Sequence, residues 1–314
     1  MGIALGGGAA RGLAHIGVLR AFVREGIPID VVVGTSMGAI IGGAYAATGD
    51  IAEVERRVRR VLASEDFQKT RLNFLKETRD QRGGLLYSVK NLVKRGVVYG
   101  MSTMRPSFLS AEEFAASMRE TLPDRNIEDL PIRFAAIALD LEGGREVVLC
   151  HGNLRQAAGA SSAIPGILPP VRLHNRLLID GGWVDKVPVL PAFRLGADVV
   201  IAVDISADLA DGRGFRRGID VMLRAHEIKD IVLTGFIRRL ADVVVEPQVR
   251  KIHWADFGAF EECIEAGDRA ATEAASRIRE HLRHESWRSI LRQPLGKRLA
   301  QVYLASADLR FSVE

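Results

Sequence analysis

Two short apolar runs near the start of the chain, Ile3-Ala4-Leu5 and Val31-Val32-Val33, each pass straight into a glycine-containing turn and then into a helical pattern. No other pattern in the sequence narrows the architecture so much. A β-branched run without polar alternation suits a strand buried on both faces. Strands that alternate with helices predict a parallel sheet joined by right-handed crossovers. After the first run, Ile16, Leu19, Phe22 and Val23 recur at helical spacing between about Ala10 and Arg24. After the second, Gly38 to Ala47 reads as a helix of small residues able to pack close to its neighbours. The 17 residues from Val31 to Ala47 carry no charge. That length is at the short limit for a membrane span, and the stretch is rich in glycine, so a buried strand and helix are expected instead.

The rhythm breaks between about Ser64 and Ser110. Lys69, Arg71, Lys76, Arg79, Arg82, Lys90, Lys94 and Arg95 alternate there with Leu85, Leu86, Val89, Leu92 and Val93. A basic amphipathic segment is suited to lie on a membrane surface or to cover an apolar site as a lid; a solvated helix packed on the core is the plain alternative. Strands resume at Ile132–Leu139 and Glu146–Cys150. Val171–Leu173 and Leu177–Ile179 flank His174-Asn175 as a hairpin. Val199–Val203 is another buried strand, Ala241–Val245 is the expected last one, and about Phe257 to Leu282 is helical. The expectation is one α/β domain over 1–282, a mostly parallel central sheet flanked by helices, with an insertion at 64–110. The tail 283–314 has no assignable role.

Composition excludes some functions. Of 314 residues, 47% are hydrophobic and 26% charged, the balance of a soluble globular protein. The net charge of +4 is a mild excess, with no dense basic run interleaved with aromatic residues, so nucleic acid is not an expected partner. Cys150 and Cys263 stand far apart without metal-ligand spacing. They fit a reducing compartment, and neither a disulfide scaffold nor a metal is expected. The first strand begins almost at residue 1, without the basic and apolar segments of a signal peptide. A cytoplasmic location is expected, with contact to membranes from outside as the one membrane option. Oligomeric state is not legible.

Three motifs carry chemistry. Gly34-Thr35-Ser36-Met37-Gly38 lies between the second strand and its helix. A serine on so sharp a turn projects its hydroxyl clear of the sheet, and Gly34 and Gly38 are needed because a Cβ on either side would collide. The bland reading is an N-cap serine. Gly6-Gly7-Gly8-Ala9-Ala10-Arg11-Gly12 opens the first helix. Such a turn aims backbone N–H groups at an anion, either a nucleotide phosphate or a tetrahedral oxyanion. A dinucleotide fingerprint fits poorly, because the last glycine falls at Arg11 or the middle one at Ala9. No P-loop Lys-Ser/Thr pair is present. Asp180-Gly181-Gly182 places a carboxylate at a strand end, although Asp-Gly turns are common. Ser36 follows only two strands, too few for an α/β-hydrolase elbow, and His253, His281 and His284 lie in loop and helix. His15, one turn inside the first helix, reads as structural. A Ser-Asp pair without histidine is the simpler design.

Together these residues resemble the patatin-like phospholipase family, including its bacterial members and its neuropathy-target-esterase branch, over about residues 1–280. The likeness runs through Ile3 to Gly12, Ala14 to Leu19, Gly34 to Ala39, Ala160-Ser161-Ser162-Ala163-Ile164-Pro165-Gly166 with Pro169-Pro170, Asp180-Gly181-Gly182, Val187-Pro188-Val189 and Ile201 to Asp204. It implies a patatin-like three-layer fold, Ser36 as nucleophile, Asp180 as base, and an oxyanion hole formed by Gly6, Gly7, Gly8, Ala9, Arg11 and Gly12. It implies no cofactor, and a lipid or other acyl ester as substrate. Ala9 departs from the glycine of many relatives, and Trp183 and Lys186 replace smaller or amide residues, which is expected to reshape the pocket rim. Acyl transfer to an alcohol, or lipid or phosphate binding without catalysis, are the competing functions.

Overall fold

The computed structural model describes residues 1–65, 67, 111–206 and 218–288, so most of the basic 64–110 insertion and the chain beyond 288 lie outside the described residues. Strand β1 (Gly2–Leu5) leads through a 3-10 turn at Ala9–Leu13 into helix α1 (Ala14–Arg24), and β2 (Val31–Thr35) leads into α2 (Met37–Thr48). Helix α3 (Ile51–Ala63) is capped by Asp50, whose carboxylate accepts the N–H groups of Ala52 and Glu53. There follow α4 (Ala111–Thr121), β3 (Arg133–Asp140), β4 (Arg145–Leu149), α5 (Leu154–Ser161), β5 (Val171–Leu173) and β6 (Arg176–Asp180). The described chain closes with α6 (Val189–Arg194), β7 (Val200–Val203), α7 (Gly218–Ile237), β8 (Val243–Val245) and α8 (Phe260–Arg288).

The sheet follows the pairing order β5-β6-β3-β2-β1-β7-β8, with β4 also paired to β3. The pairs of β1 with β2 and β7, of β2 with β3, and of β7 with β8 are parallel. Strands β4, β5 and β6 pair antiparallel. The His174-Asn175 hairpin is present, with φ of 46° and 59° at its two loop residues, the left-handed pair of a tight turn. The last strand is shorter than the pattern suggested, Val243–Val245 instead of Ala241–Val245, and α8 runs past residue 282 without a break.

Alternation along the strands divides the core, since successive side chains point to opposite faces. Ile3, Leu5, Val32, Phe134 and Ala136 pack on one face with Ile16 and Leu19 of α1, Ile41 of α2 and Ile264 of α8. Ala4, Val31, Val33, Ala135 and Ile137 pack on the other with Val189 and Phe193 of α6. Helices therefore cover both faces of a mixed, mostly parallel sheet, an α/β architecture in three layers. Helix α8 approaches α1 so closely that a Cβ on Gly17 would lie 1.9 Å from the Ile264 carbonyl oxygen, and one on Gly267 would lie 2.0 Å from that of Ala14. Among the described residues, no helix is long and apolar enough to cross a membrane.

The register of β3 positions the site. Its residues Ala136 and Ile137 pair with both β2 and β4, and Ala138 to Asp140 pair with both β4 and β6. A strand has only two hydrogen-bonding edges, so β2 and β6 share one of them, end to end. Thr35, the last residue of β2, pairs with Ile137; Asp180, the last of β6, pairs with the next residue, Ala138. The two strands thus run toward each other and stop at the same point.

Candidate active site

At that point the chain turns sharply off β2. Ser36 has φ 56° and ψ −122°, and α2 begins at Met37. Non-glycine residues pay about 1–3 kcal/mol for such a backbone, which persists only where the surroundings impose it. Here they do. A Cβ on Gly34 would sit 2.3 Å from the Gly38 carbonyl oxygen, and one on Gly38 would sit 2.2 Å from that of Leu5. The Ser36 N–H donates to Ser161 Oγ at 3.0 Å, and the Thr35 hydroxyl donates to the Asp185 carbonyl at 2.9 Å. Ser161 had no local signal in the sequence beyond its place in the Ala160–Gly166 motif.

The Ser36 hydroxyl donates to Asp180 Oδ2 at 2.6 Å, and the Gly182 N–H donates to Oδ1 at 2.7 Å. Each residue of the pair is only 5% exposed. Burial pushes the Asp180 carboxyl up to about 6, against smaller lowering effects from the Ser36 and Gly182 hydrogen bonds and the Lys186 charge. Among the described residues no histidine bonds to either partner. His253 accepts the Ala255 N–H, and His281 lies on α8 against the Arg277 carbonyl. His15 is fully buried, with Nε2 2.7 Å from the Gly6 carbonyl oxygen, and burial lowers its pKa to about 4. The neutral ring donates to that carbonyl, as its structural reading required, and steadies the start of the glycine-rich loop.

The loop itself is more constrained than its glycines imply. The Gly6 N–H donates to the Val203 carbonyl, that of Gly7 to Lys186, and that of Arg11 to Gly8. These three donors are therefore already engaged, and Gly12 lies within the 3-10 turn. Gly8 and Ala9, at the open start of that turn, keep N–H groups without an acceptor among the described residues, as the first donors of a helical turn do. The six-residue expectation thus narrows to two free donors. Ala9 holds φ 48°, so the alanine sits in a conformation that glycine adopts more readily.

Ser36 and Ala9 both line a pocket of about 970 Å³, counting the space open to solvent at its mouth. Its wall is mostly apolar: Leu13 and Ile40 from the core, Val61 from α3, Phe114 and Met118 from α4, and Trp254 and Phe257 before α8. The lining matches a small-molecule site with few polar groups. Trp183 and Lys186 are not on this rim, contrary to expectation. Trp183 stacks on His226 of α7, with ring centroids 4.1 Å apart. Lys186 lies by a smaller pocket with Gly182 and Asp230; burial, then the Arg11 charge, lowers its pKa. Among the described residues, no group of three or more His, Cys, Asp or Glu side chains is arranged to hold a metal.

A family model described as patatin-like phospholipase matches residues 3–193, more than half of the chain, including the glycine-rich loop, Ser36 and Asp180. The chain belongs to the patatin-like phospholipase family. Similar proteins include a lysophospholipase (nte1) of Emericella nidulans, 30% identical over 66% of this chain and 12% of its own length. A patatin-like phospholipase domain-containing protein of Caenorhabditis elegans is 31% identical over 88% of this chain and 21% of its own. An NTE family protein of Mycobacterium tuberculosis is 34% identical over 66% of this chain and 49% of its own. This patatin-like chain therefore spans half or less of the length of these relatives.

Proposed function

We propose that the chain is a serine acyl-ester hydrolase acting on lipid esters of the phospholipid or lysophospholipid class. The observation that carries the proposal is the 2.6 Å hydrogen bond to a buried carboxylate from the hydroxyl of Ser36, which lines an apolar pocket. Ser36 Oγ attacks the acyl carbonyl carbon while its proton passes to Asp180 Oδ2. The tetrahedral oxyanion is stabilised by the N–H groups of Gly8 and Ala9, and each donor of this kind contributes on the order of 100- to 1,000-fold in rate. Collapse breaks the ester C–O bond, the proton goes to the departing alcohol, and the acyl group stays on Ser36. Water then attacks the acyl-enzyme, giving its proton to Asp180; collapse breaks the Ser36 Oγ–acyl bond, Asp180 returns that proton to Ser36 Oγ, and the carboxylic acid leaves. An aspartate of ordinary pKa is a weak base; one raised to about 6 lies closer to the working pH, where base catalysis is most effective. The apolar pocket takes the acyl chain. The hydrolase unit is 1–282.

Ser36→Ala is expected to abolish hydrolysis of p-nitrophenyl butyrate and labelling by a fluorophosphonate probe while keeping the wild-type circular dichroism spectrum. Retention of either activity sinks the assignment. Labelling of the wild type also separates the hydrolase from a phosphate-binding protein that uses the glycine loop alone. Release of free acid, measured against transfer to an added alcohol, separates it from an acyltransferase.

A further inference from the structure

Most of the exposed large apolar side chains of the described residues are gathered on one helix. Val221, Met222, Ile228, Val232, Leu233 and Phe236 of α7 are 42–69% exposed. At 100° per residue these positions fall on one arc of about 140°, the width of an apolar helix face. The arc also holds Ala225 and Lys229 and no acidic residue. The opposite side of the helix faces the protein: Thr234 is buried, His226 stacks on Trp183, and Asp230 and Ile237 border the pocket beside Gly182 and Lys186. The helix is therefore seated through a mixed side, where Ile237 packs on the core beside Thr234, His226 and Asp230, and it leaves an apolar arc exposed.

From this we infer that the outer face of α7 is a docking surface for a lipid–water interface, with a preference for anionic lipid. An exposed apolar patch of this kind marks an interaction site. Lys229 decides between occupants. It lies inside the apolar arc, is 57% exposed, and among the described residues pairs with the neighbouring Asp230, at 3.7 Å. On a bilayer its stem follows the apolar layer while the ammonium group reaches the headgroups, whereas a dry interface with a second copy would bury it. Arg239, also exposed, follows just beyond the end of the helix. Trp183, stacked on α7, lies three residues after Asp180, so the helix touches the turn that follows the proposed base. Docking through α7 would hold the turn after the proposed base close to the membrane surface. The inference rests on the hydrolase reading only for why an interface is useful; the surface itself is read from exposure and charge.

The test is co-sedimentation of the full chain carrying Ser36→Ala, so that binding is measured without turnover. Vesicles of phosphatidylcholine alone and of phosphatidylcholine with phosphatidylglycerol are compared. The chain is expected to bind, more tightly to the anionic vesicles. Adding Val232→Asp and Phe236→Asp should weaken partitioning by roughly tenfold or more, because each removes apolar area from the interface. Lys229→Glu should weaken binding to the anionic vesicles alone. In the otherwise wild-type chain, the Val232→Asp/Phe236→Asp pair should leave hydrolysis of soluble p-nitrophenyl butyrate and the melting temperature unchanged. If the pair fails to fold, Val232→Ser with Phe236→Ser replaces it, with the same loss expected. Absence of binding to both vesicles, or undiminished binding by the substituted chains, overturns the inference. So does a dimer, seen by light scattering, that the substitutions dissociate, since the face then belongs to a second copy. Vesicle binding without esterase activity in the wild type would sink the hydrolase reading and leave this one standing.

Discussion

Replacing Asp180 by asparagine should destroy activity and, at the same time, stabilise the protein at alkaline pH. The carboxyl is raised from 3.8 to about 6, chiefly by burial. A shift of about 2 units, at about 1.4 kcal/mol per unit, amounts to about 3 kcal/mol. The sign follows from proton binding. Between about pH 4 and pH 6 the native state holds a proton that the unfolded chain has lost, so the stabilising contribution of this group is present at low pH and lost as pH rises through about 6. Asparagine keeps the neutral form permanently. Its oxygen still accepts the Gly182 N–H, and its amide can donate to Ser36 Oγ, so the two hydrogen bonds of the site retain partners. Urea denaturation of both proteins, followed by circular dichroism from about pH 4 to pH 8, is expected to show near-equal stability at the acid end. An advantage of about 3 kcal/mol for Asp180→Asn should appear at the alkaline end. A difference that does not change with pH, or one that favours the wild type as pH rises, would refute the assignment of Asp180 as a desolvated base. Stability gained by disarming a site is the usual signature of a site held in an unfavourable state for function.

Other consequences are open to the same kind of measurement. The kcat/KM for a soluble ester should rise with pH through an apparent pKa of about 6, because only ionised Asp180 accepts the Ser36 proton; a limb near 4 would mean an ordinary exposed carboxylate. Ala9→Gly removes a side chain from a residue at φ 48° and should raise the melting temperature, with relief of up to about 1 kcal/mol; an unchanged or lower value would show that the loop is unstrained. Gly17→Ala forces a Cβ to within 1.9 Å of the Ile264 carbonyl oxygen, so α8 must move off α1, and a loss of about 2 kcal/mol or more is expected in chemical denaturation. A neutral effect there would mean that the two helices pack less closely than described.

Local signals were sufficient wherever local physics decides the outcome. The apolar run Val31–Val33, the flanking glycines and the small-residue helix specify a strand, a sharp turn and a buried helix within a few residues of one another, and β2, Ser36 and α2 follow that reading. The tie between Ser36 and Asp180 is different. It spans 144 positions and depends on two registers along β3, which no periodicity reports; the lack of a suitably placed histidine favours a Ser-Asp pair, and the family resemblance assigns the two roles. The glycine loop is legible only in part, for a related reason. Composition shows where N–H groups are accessible, but not that Val203 and Lys186 already accept those of Gly6 and Gly7. The resemblance places Trp183 at the pocket rim, where relatives carry smaller or amide residues, yet the turn at Gly181 directs it to α7. The exposed face of α7 escaped notice because a helix can carry apolar residues on a buried or on an open side, and spacing alone does not distinguish them.

The head-to-head arrangement of β2 and β6 frees the meeting of Ser36 and Asp180 from the chain that joins them. A common neighbour, β3, fixes where both strand tips end, so the serine and the acid stay in touch without help from the chain that links them. The connection between the two strands can change in length without moving their tips, as long as the ladders along β3 keep their alignment. A single-residue slip of β6, by contrast, would turn its terminal side chain to the far face of the sheet and silence the site, even with every chemical group still present.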